Sequence, residues 1–283
     1  MAPPCFADLG KSARDLFDKG FNVGLLKVES TTTSKSGEAI EFKTTATHAT
    51  ATKHFLGNLD VKYKIPSYGL TLTEKWNTDN VLGSVLEIKD QFARDLKVTL
   101  DTSYRPQTGK RSGKLKGEWQ RDNMTVNFDM IVDAAPIVNA SVVMERNGWM
   151  LGIASSLDTA SSKIGNTDFA FAKDGHDYSL FSFVRNGNRF GASLYHKVAK
   201  NVEVGAHLGW TTGDNAARFG LAAKYCPSRE LELKAKVNNE SKLAISATHY
   251  ITDKLKLILS TQFGIADLKD TGHNVGFGIE YKP

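Results

Sequence analysis

The stretch Gly109-Lys110-Arg111-Ser112-Gly113-Lys114 looks at first like a loop that could cradle phosphate. It fails on spacing and on the segment behind it. Such a loop needs one more residue between its glycines, a Ser or Thr after the lysine to hold magnesium, and a helix next in the chain. Here Leu115 stands at the metal position and the next residues alternate as a strand does. Gly276-Phe277-Gly278 lies almost at the end of the chain, with no helix to complete a dinucleotide fingerprint. No nucleophile elbow and no metalloprotease motif occurs. Cys5 and Cys226 are isolated thiols with neither disulfide nor metal spacing, and the seven histidines are scattered. Enzyme chemistry, a resident metal and a cofactor are therefore not expected.

What remains is charge laid out with a period of two. The chain ends Val275-Gly276-Phe277-Gly278-Ile279-Glu280-Tyr281-Lys282, apolar at odd positions and glycine or charged at even ones. Successive side chains of a strand point to opposite faces, so this segment has one greasy face and one wet face. The pattern recurs from about residue 25 onward. Leu59, Val61, Tyr63 and Ile65 alternate with Asp60, Lys62 and Lys64; Leu96, Val98 and Leu100 with Lys97 and Thr99. By the same parity Lys43, Lys75, Lys114, Lys116, Lys234, Lys236 and Lys256 share the wet face. So do the acids Glu41, Asp60, Asp101, Glu118, Asp129, Glu232 and Glu280.

Repetition on this scale predicts a membrane-spanning β-barrel with an aqueous interior. Turn signals punctuate it: Lys35-Ser36-Gly37, Asp79-Asn80, Pro106-Gln107-Thr108-Gly109, Asn147-Gly148, Asp174-Gly175, Asn186-Gly187, Thr212-Gly213-Asp214-Asn215 and Asp270-Thr271-Gly272. About 258 residues at roughly 13 to 14 per strand and turn give about nineteen strands. The alternation is poorest from about Ala134 to Ala172, and the register there is not fixed by pattern. Positive excess on the lumen side would favour anions, but only weakly, because a wide wet pore screens its walls within about 10 Å.

Glu74 breaks the rule. It shares a parity with Leu70, Leu72 and Trp76, the face that should meet lipid, where a carboxylate is costly. A local register slip that turns Glu74 inward is the alternative.

Residues 1–24 differ from the rest. Phe6, Leu9, Ala13, Leu16 and Phe17 fall on one face of a helix, with Asp8 suited to its first turn and Lys19-Gly20 a stop signal. Asp8, Asp15 and Asp18 argue against a mitochondrial presequence, which is poor in acids, so this is a retained element. Such a short helix is not stable alone in water and must dock. The division is thus residues 1–24 as helix and hinge, and 25–283 as barrel.

Composition sets the outer limits. The chain has 283 residues, 41% of them hydrophobic, and a formal net charge of +5. No apolar run approaches the roughly 18 residues of a spanning helix. The charges form no basic run, so nucleic acid is not an expected partner.

Four stretches carry a likeness to a known family: residues 7–15 (ADLGKSARD), 68–80 (YGLTLTEKWNTDN), 218–225 (RFGLAAKY) and 234–239 (KAKVNN). With them the chain resembles, end to end, the voltage-dependent anion channels, the porins of the outer mitochondrial membrane, and an invertebrate-like member of them. The resemblance implies a nineteen-stranded barrel whose first and last strands pair in parallel, with the N-terminal helix inside the pore on a hinge at Gly20 and Gly24. It implies a voltage-gated, weakly anion-selective pore for ATP, ADP, NADH, phosphate and ions. It matches Lys11, Arg14 and Lys19 to positions tied to nucleotide passage. It matches Glu74 to a lipid-facing carboxylate associated with hexokinase docking and self-association, and it implies membrane lipids and apoptosis regulators as partners. Asp95-Leu96-Lys97 departs from the family's Gly-Leu-Lys stretch, and the added carboxylate would repel phosphates there. A docking protein whose main work is binding kinases or apoptosis regulators is a rival reading. A soluble β-sandwich for acidic ligands is a third.

Overall fold

The computed structural model describes residues 2–34, 39–132, 136–214, 217–265 and 273–283. Turn signals at 35–37 and 270–272, together with Asn215, lie outside them. A short 3-10 turn (Phe6–Asp8) and one helix, α1 (Lys11–Asp18), precede the strands. The first third of the wall is β1 (Leu25–Thr33), β2 (Ala39–Ala49), β3 (Phe55–Ile65), β4 (Leu70–Asn77), β5 (Leu82–Lys89), β6 (Leu96–Arg105) and β7 (Lys110–Arg121). The middle is β8 (Met124–Val132), β9 (Ile137–Arg146), β10 (Trp149–Asp158), β11 (Lys163–Asp174), β12 (Tyr178–Arg185) and β13 (Arg189–Ala199). The last are β14 (Val202–Thr211), β15 (Arg218–Tyr225), β16 (Leu231–Asn238), β17 (Lys242–Thr252), β18 (Leu255–Gly264) and β19 (Asn274–Tyr281).

Each strand pairs with its neighbour in sequence, antiparallel, and β1 pairs with β19 in parallel. That single parallel seam closes the sheet into a barrel and is what makes the odd count of nineteen possible. At the seam Glu29 stands directly beside Glu280. Their repulsion is offset by Lys27 and Lys43 on Glu29, at 2.8 and 2.9 Å, and by Lys256 on Glu280, at 2.6 Å. Tight turns set the register: in Asn147-Gly148 and Asn186-Gly187 both residues have positive φ, as a two-residue hairpin turn requires.

The wall sorts its side chains as a transmembrane barrel does. Leu26, Phe42, Leu59, Leu100, Leu151, Phe171, Leu208, Leu221, Leu259 and Val275 are all exposed on the outside. A surface so uniformly apolar would aggregate in water and fits hydrocarbon. No helix among the described residues is long and apolar enough to cross a membrane; crossing falls to the strands.

The poorly alternating stretch has a regular register after all, apart from one bulge between Ser155 and Leu157. Its inner side chains Val143, Met150, Ala170 and Ala172 are apolar because they form a buried cluster with Leu9, flanked by Phe6, Phe181 and Phe183. Both faces of the sheet are greasy there, so the period of two fades.

The continuous helix expected near the N-terminus is interrupted. Gly10 takes φ +68 between the 3-10 turn and α1, and a Cβ there would lie 2.5 Å from the Phe181 ring. The left-handed backbone and the wall beneath demand glycine, and the helix proper begins one residue later. Asp8 therefore precedes α1 rather than sitting in its first turn.

Candidate functional site: the lumen

Cross-strand pairing places Lys62, Lys64, Lys75, Lys97, Lys114, Lys116 and Lys236 on the inner face. Most of the β6–β8 cations are partnered. Lys114 lies 2.8 Å from Asp129, Lys116 3.6 Å from Asp101 and Lys97 4.0 Å from Glu118. This wall is a lattice of alternating charge, facing about 580 Å³ of lumen opposite Cys5, Phe6 and Ala7. Lys62, Lys64 and Lys75, by contrast, form no close ion pair among the described residues, although Lys62 stands across from Glu41 and Lys75 across from Asp60.

On the opposite side the N-terminal segment lies against the wall. Leu16 and Phe17 bury against Ala222 and Tyr195, and the Phe17 ring meets the His207 ring edge-on at 4.4 Å. Gly205 makes room for this contact, since a Cβ on it would sit 2.8 Å from Leu16 Cδ2. The apolar stripe Phe6, Leu9, Ala13, Leu16 and Phe17 thus meets a patch of wall that the barrel keeps apolar. Burial of that stripe is what holds so short a helix in place.

Polar contacts then fix its ends. Thr125 Oγ1 donates to the Pro3 carbonyl at 2.6 Å and Lys236 Nζ to the Phe17 carbonyl at 2.7 Å. Lys234 Nζ donates to Lys19 O at 3.1 Å and Ser246 Oγ to Gly20 O at 2.5 Å. Gly20 and Gly24 have φ of +84 and +71. Between them the Asn22 N–H donates to Ser260 Oγ at 3.0 Å, and the Asn22 carbonyl lies so close over Gly276 that any side chain there would collide. The segment from Gly20 to Asn22 is clasped to β17–β19.

The polar side of the segment faces the lumen. Lys11 pairs with Asp8 at 3.0 Å and Lys19 with Asp15 at 2.7 Å, while Arg14 Nη2 donates to the Ala7 carbonyl at 2.7 Å. Asp8 also accepts from Cys5 Sγ at 3.1 Å. That thiol contact, together with the Lys11 ammonium, holds the Asp8 carboxyl below its ordinary range, although partial burial opposes them. Burial pushes the Cys5 thiol up, and the adjacent carboxylate adds to the effect.

Two residues singled out by sequence lie away from this lumen. Glu74 is on the outer face, opposite Val61 and Ser84, and accepts from Ser84 Oγ at 2.6 Å. Asp95 sits at φ +65 in the turn before β6, its N–H on Asp90 Oδ1, and not on the inner stripe with Lys97. Lys236 is inside but covered, its ammonium 4.4 Å over the Phe21 ring and bonded to the helix, so it holds the helix rather than facing solute. Sequence reasoning missed Glu29, Glu87, Asp168 and Glu203 on the wet face. Parity would have found each of them once its strand was bounded.

A closed barrel, lysines on its inner wall and an amphipathic segment lying along that wall make a solute path. The comparisons agree. The eukaryotic porin family matches residues 2–276. A probable voltage-dependent anion-selective channel of Caenorhabditis elegans is 53% identical over 100% of this chain and 99% of that one. The non-selective voltage-gated ion channel VDAC2 of Meleagris gallopavo is 42% identical over 98% of this chain and 94% of its own length. The Homo sapiens VDAC2 is 41% identical over the same shares. The chain belongs to the eukaryotic porin family.

Proposed function

We propose that this barrel is a voltage-gated, weakly anion-selective pore that passes adenine nucleotides, phosphate and small ions across the outer mitochondrial membrane. The observation that carries the reading is the lumen itself, the space between the docked helix and a wall on which Lys62, Lys64 and Lys75 form no close ion pair among the described residues. Cations without partners lower the energy of an anion; those paired across β6–β8 contribute little net field. Selectivity is therefore modest. Voltage dependence is in the names of all three similar channels, whereas anion selectivity is named for the Caenorhabditis elegans channel and the two VDAC2 channels are called non-selective.

Lys11, Arg14 and Lys19 on the lumen side of the helix are the groups we assign to nucleotide passage, with Gly20 and Gly24 as the hinge; Lys11 and Lys19 are paired with Asp8 and Asp15, so Arg14 supplies most of the net field. A polyphosphate gains more than chloride from each positive charge it passes. Glu74, on the outer face, is assigned to contacts reached through the membrane: self-association, and docking of hexokinase or apoptosis regulators.

The test is flux from vesicles holding the refolded protein. ATP should leave through the wild type, and a variant with Lys11, Arg14 and Lys19 changed to Gln should lose ATP flux more than chloride flux. Equal loss of both would remove the nucleotide role from the helix. No flux of either solute through the wild type would favour a docking protein over a channel.

A further inference from the structure

The outer surface of the barrel is almost free of charge within its strands. Cross-strand register places Glu74, Arg111, Arg121, Arg146 and Lys173 outward among the described strand residues. Three of the four cations gather at one place. Arg146 pairs across to Trp149, and Trp149 to Lys173, forming the outermost row at one rim. Arg121 begins the next row inward, which continues through Met124, Met144, Leu151 and Phe171.

These cations are not spent on protein acids. Arg121, Arg146 and Lys173 form no ion pair among the described residues. Two of them stand instead on aromatic faces: Lys173 Nζ lies 4.1 Å above the Trp149 ring and the Arg121 guanidinium 5.2 Å above Trp119. Stacking of this kind holds a cation in place and leaves its other donors free. Trp149 in turn tilts against Phe171 at 5.0 Å. Beneath the row of cations is a groove of about 480 Å³, lined by Met124, Met144, Trp149, Leu151 and Phe171 together with Asn123, Glu145 and Arg146.

A cationic row at the edge of the hydrocarbon, over an apolar groove running inward from it, is complementary to one kind of molecule. It needs a negatively charged head at the interface and alkyl chains below. We propose that the outer face of β7–β11 at this rim is a binding site for an anionic phospholipid of the bilayer. Arg121, Arg146 and Lys173 take its phosphate, and the Met124–Phe171 groove takes an acyl chain. Methionines suit the chain end because they repack around a flexible ligand. The site is independent of gating and of what the pore carries.

The full chain, with Trp76→Phe and Trp210→Phe so that only Trp119 and Trp149 report, is refolded into phosphatidylcholine vesicles containing a small fraction of acyl-brominated lipid. Brominated cardiolipin should quench the two tryptophans as if enriched about fivefold over brominated phosphatidylcholine at equal chain concentration, the order expected of one net cation near a charged head. Changing Arg121, Arg146 and Lys173 together to Gln should remove the excess while conductance is retained, showing that the barrel still folds. Arg111→Gln, at the opposite end of β7, should leave it. Equal quenching by both lipids would overturn the proposal. So would excess quenching that survives the triple change, or that vanishes equally with Arg111→Gln. Displacement of the excess by inorganic phosphate in the buffer would show a site for free anions, not for lipid.

Discussion

Lys236 Nζ donates to the Phe17 carbonyl at 2.7 Å, so one wall lysine is consumed in holding the helix that narrows the lumen. The bond caps a carbonyl near the C-terminal end of α1, where a cation is favourable.

Its removal should loosen the whole N-terminal segment. In a Cys226→Ser background, Cys5 reports on that segment. Its thiol is held above its ordinary range by burial, so maleimide labelling of the docked state should be slow at neutral pH and climb only in alkali. Lys236→Met should cost docking on the order of 1 kcal/mol, since the bond is partly solvated, and speed labelling several-fold. An unchanged rate would mean that this bond does not restrain the segment.

Acid should act on the same segment through Asp8. A carboxyl whose folded-state pKa is depressed adds stability that is complete above its unfolded value and is lost as pH falls through the folded one. Docking, read by protease cleavage within residues 1–24, should therefore hold from neutral pH down to about pH 4 and weaken below it. Asp8→Asn should flatten that acid limb; a limb of the same shape would place the titration elsewhere.

Gly205 and Leu16 form a socket and its knob. Gly205→Val should force Leu16 off the wall at a cost of about 1–3 kcal/mol of overpacking, and so alter the voltage response without closing the barrel. Leu16→Ala in the same chain should restore part of the loss. Additive effects of the two changes would show that the contact is not made.

Glu74 offers a test from the lipid side. A hydrophobic carbodiimide should label it from the membrane, and Glu74→Gln should abolish labelling while leaving conductance intact. The Gln barrel should melt no lower than the wild type, because a carboxylate no longer has to be kept in hydrocarbon. Labelling by water-soluble reagents alone would contradict its outer position.

Much of this architecture was legible in the sequence because a barrel wall writes its two solvents into alternate residues. Val275 to Tyr281 shows it plainly, and the parity of Lys62 and Lys64 could be read without any contact being known. Three things could not be read. The wall beneath Leu9 loses its alternation because Val143 and Met150 face another apolar surface instead of water. The break at Gly10 depends on Phe181, which lies far away in sequence. The neutralisation of Lys114 by Asp129 and of Lys116 by Asp101 depends on cross-strand register, which the pattern of any one strand does not specify.

The central claim is a pore whose preference comes from inner lysines that form no close ion pair among the described residues. Its most direct test is the reversal potential of single refolded channels in a planar bilayer under a potassium chloride gradient. The wild type should reverse on the side that marks modest chloride preference. Lys62→Glu, Lys64→Glu and Lys75→Glu together should move it toward potassium. A wild-type potential on the cation side, or one that the three changes leave in place, would contradict the account.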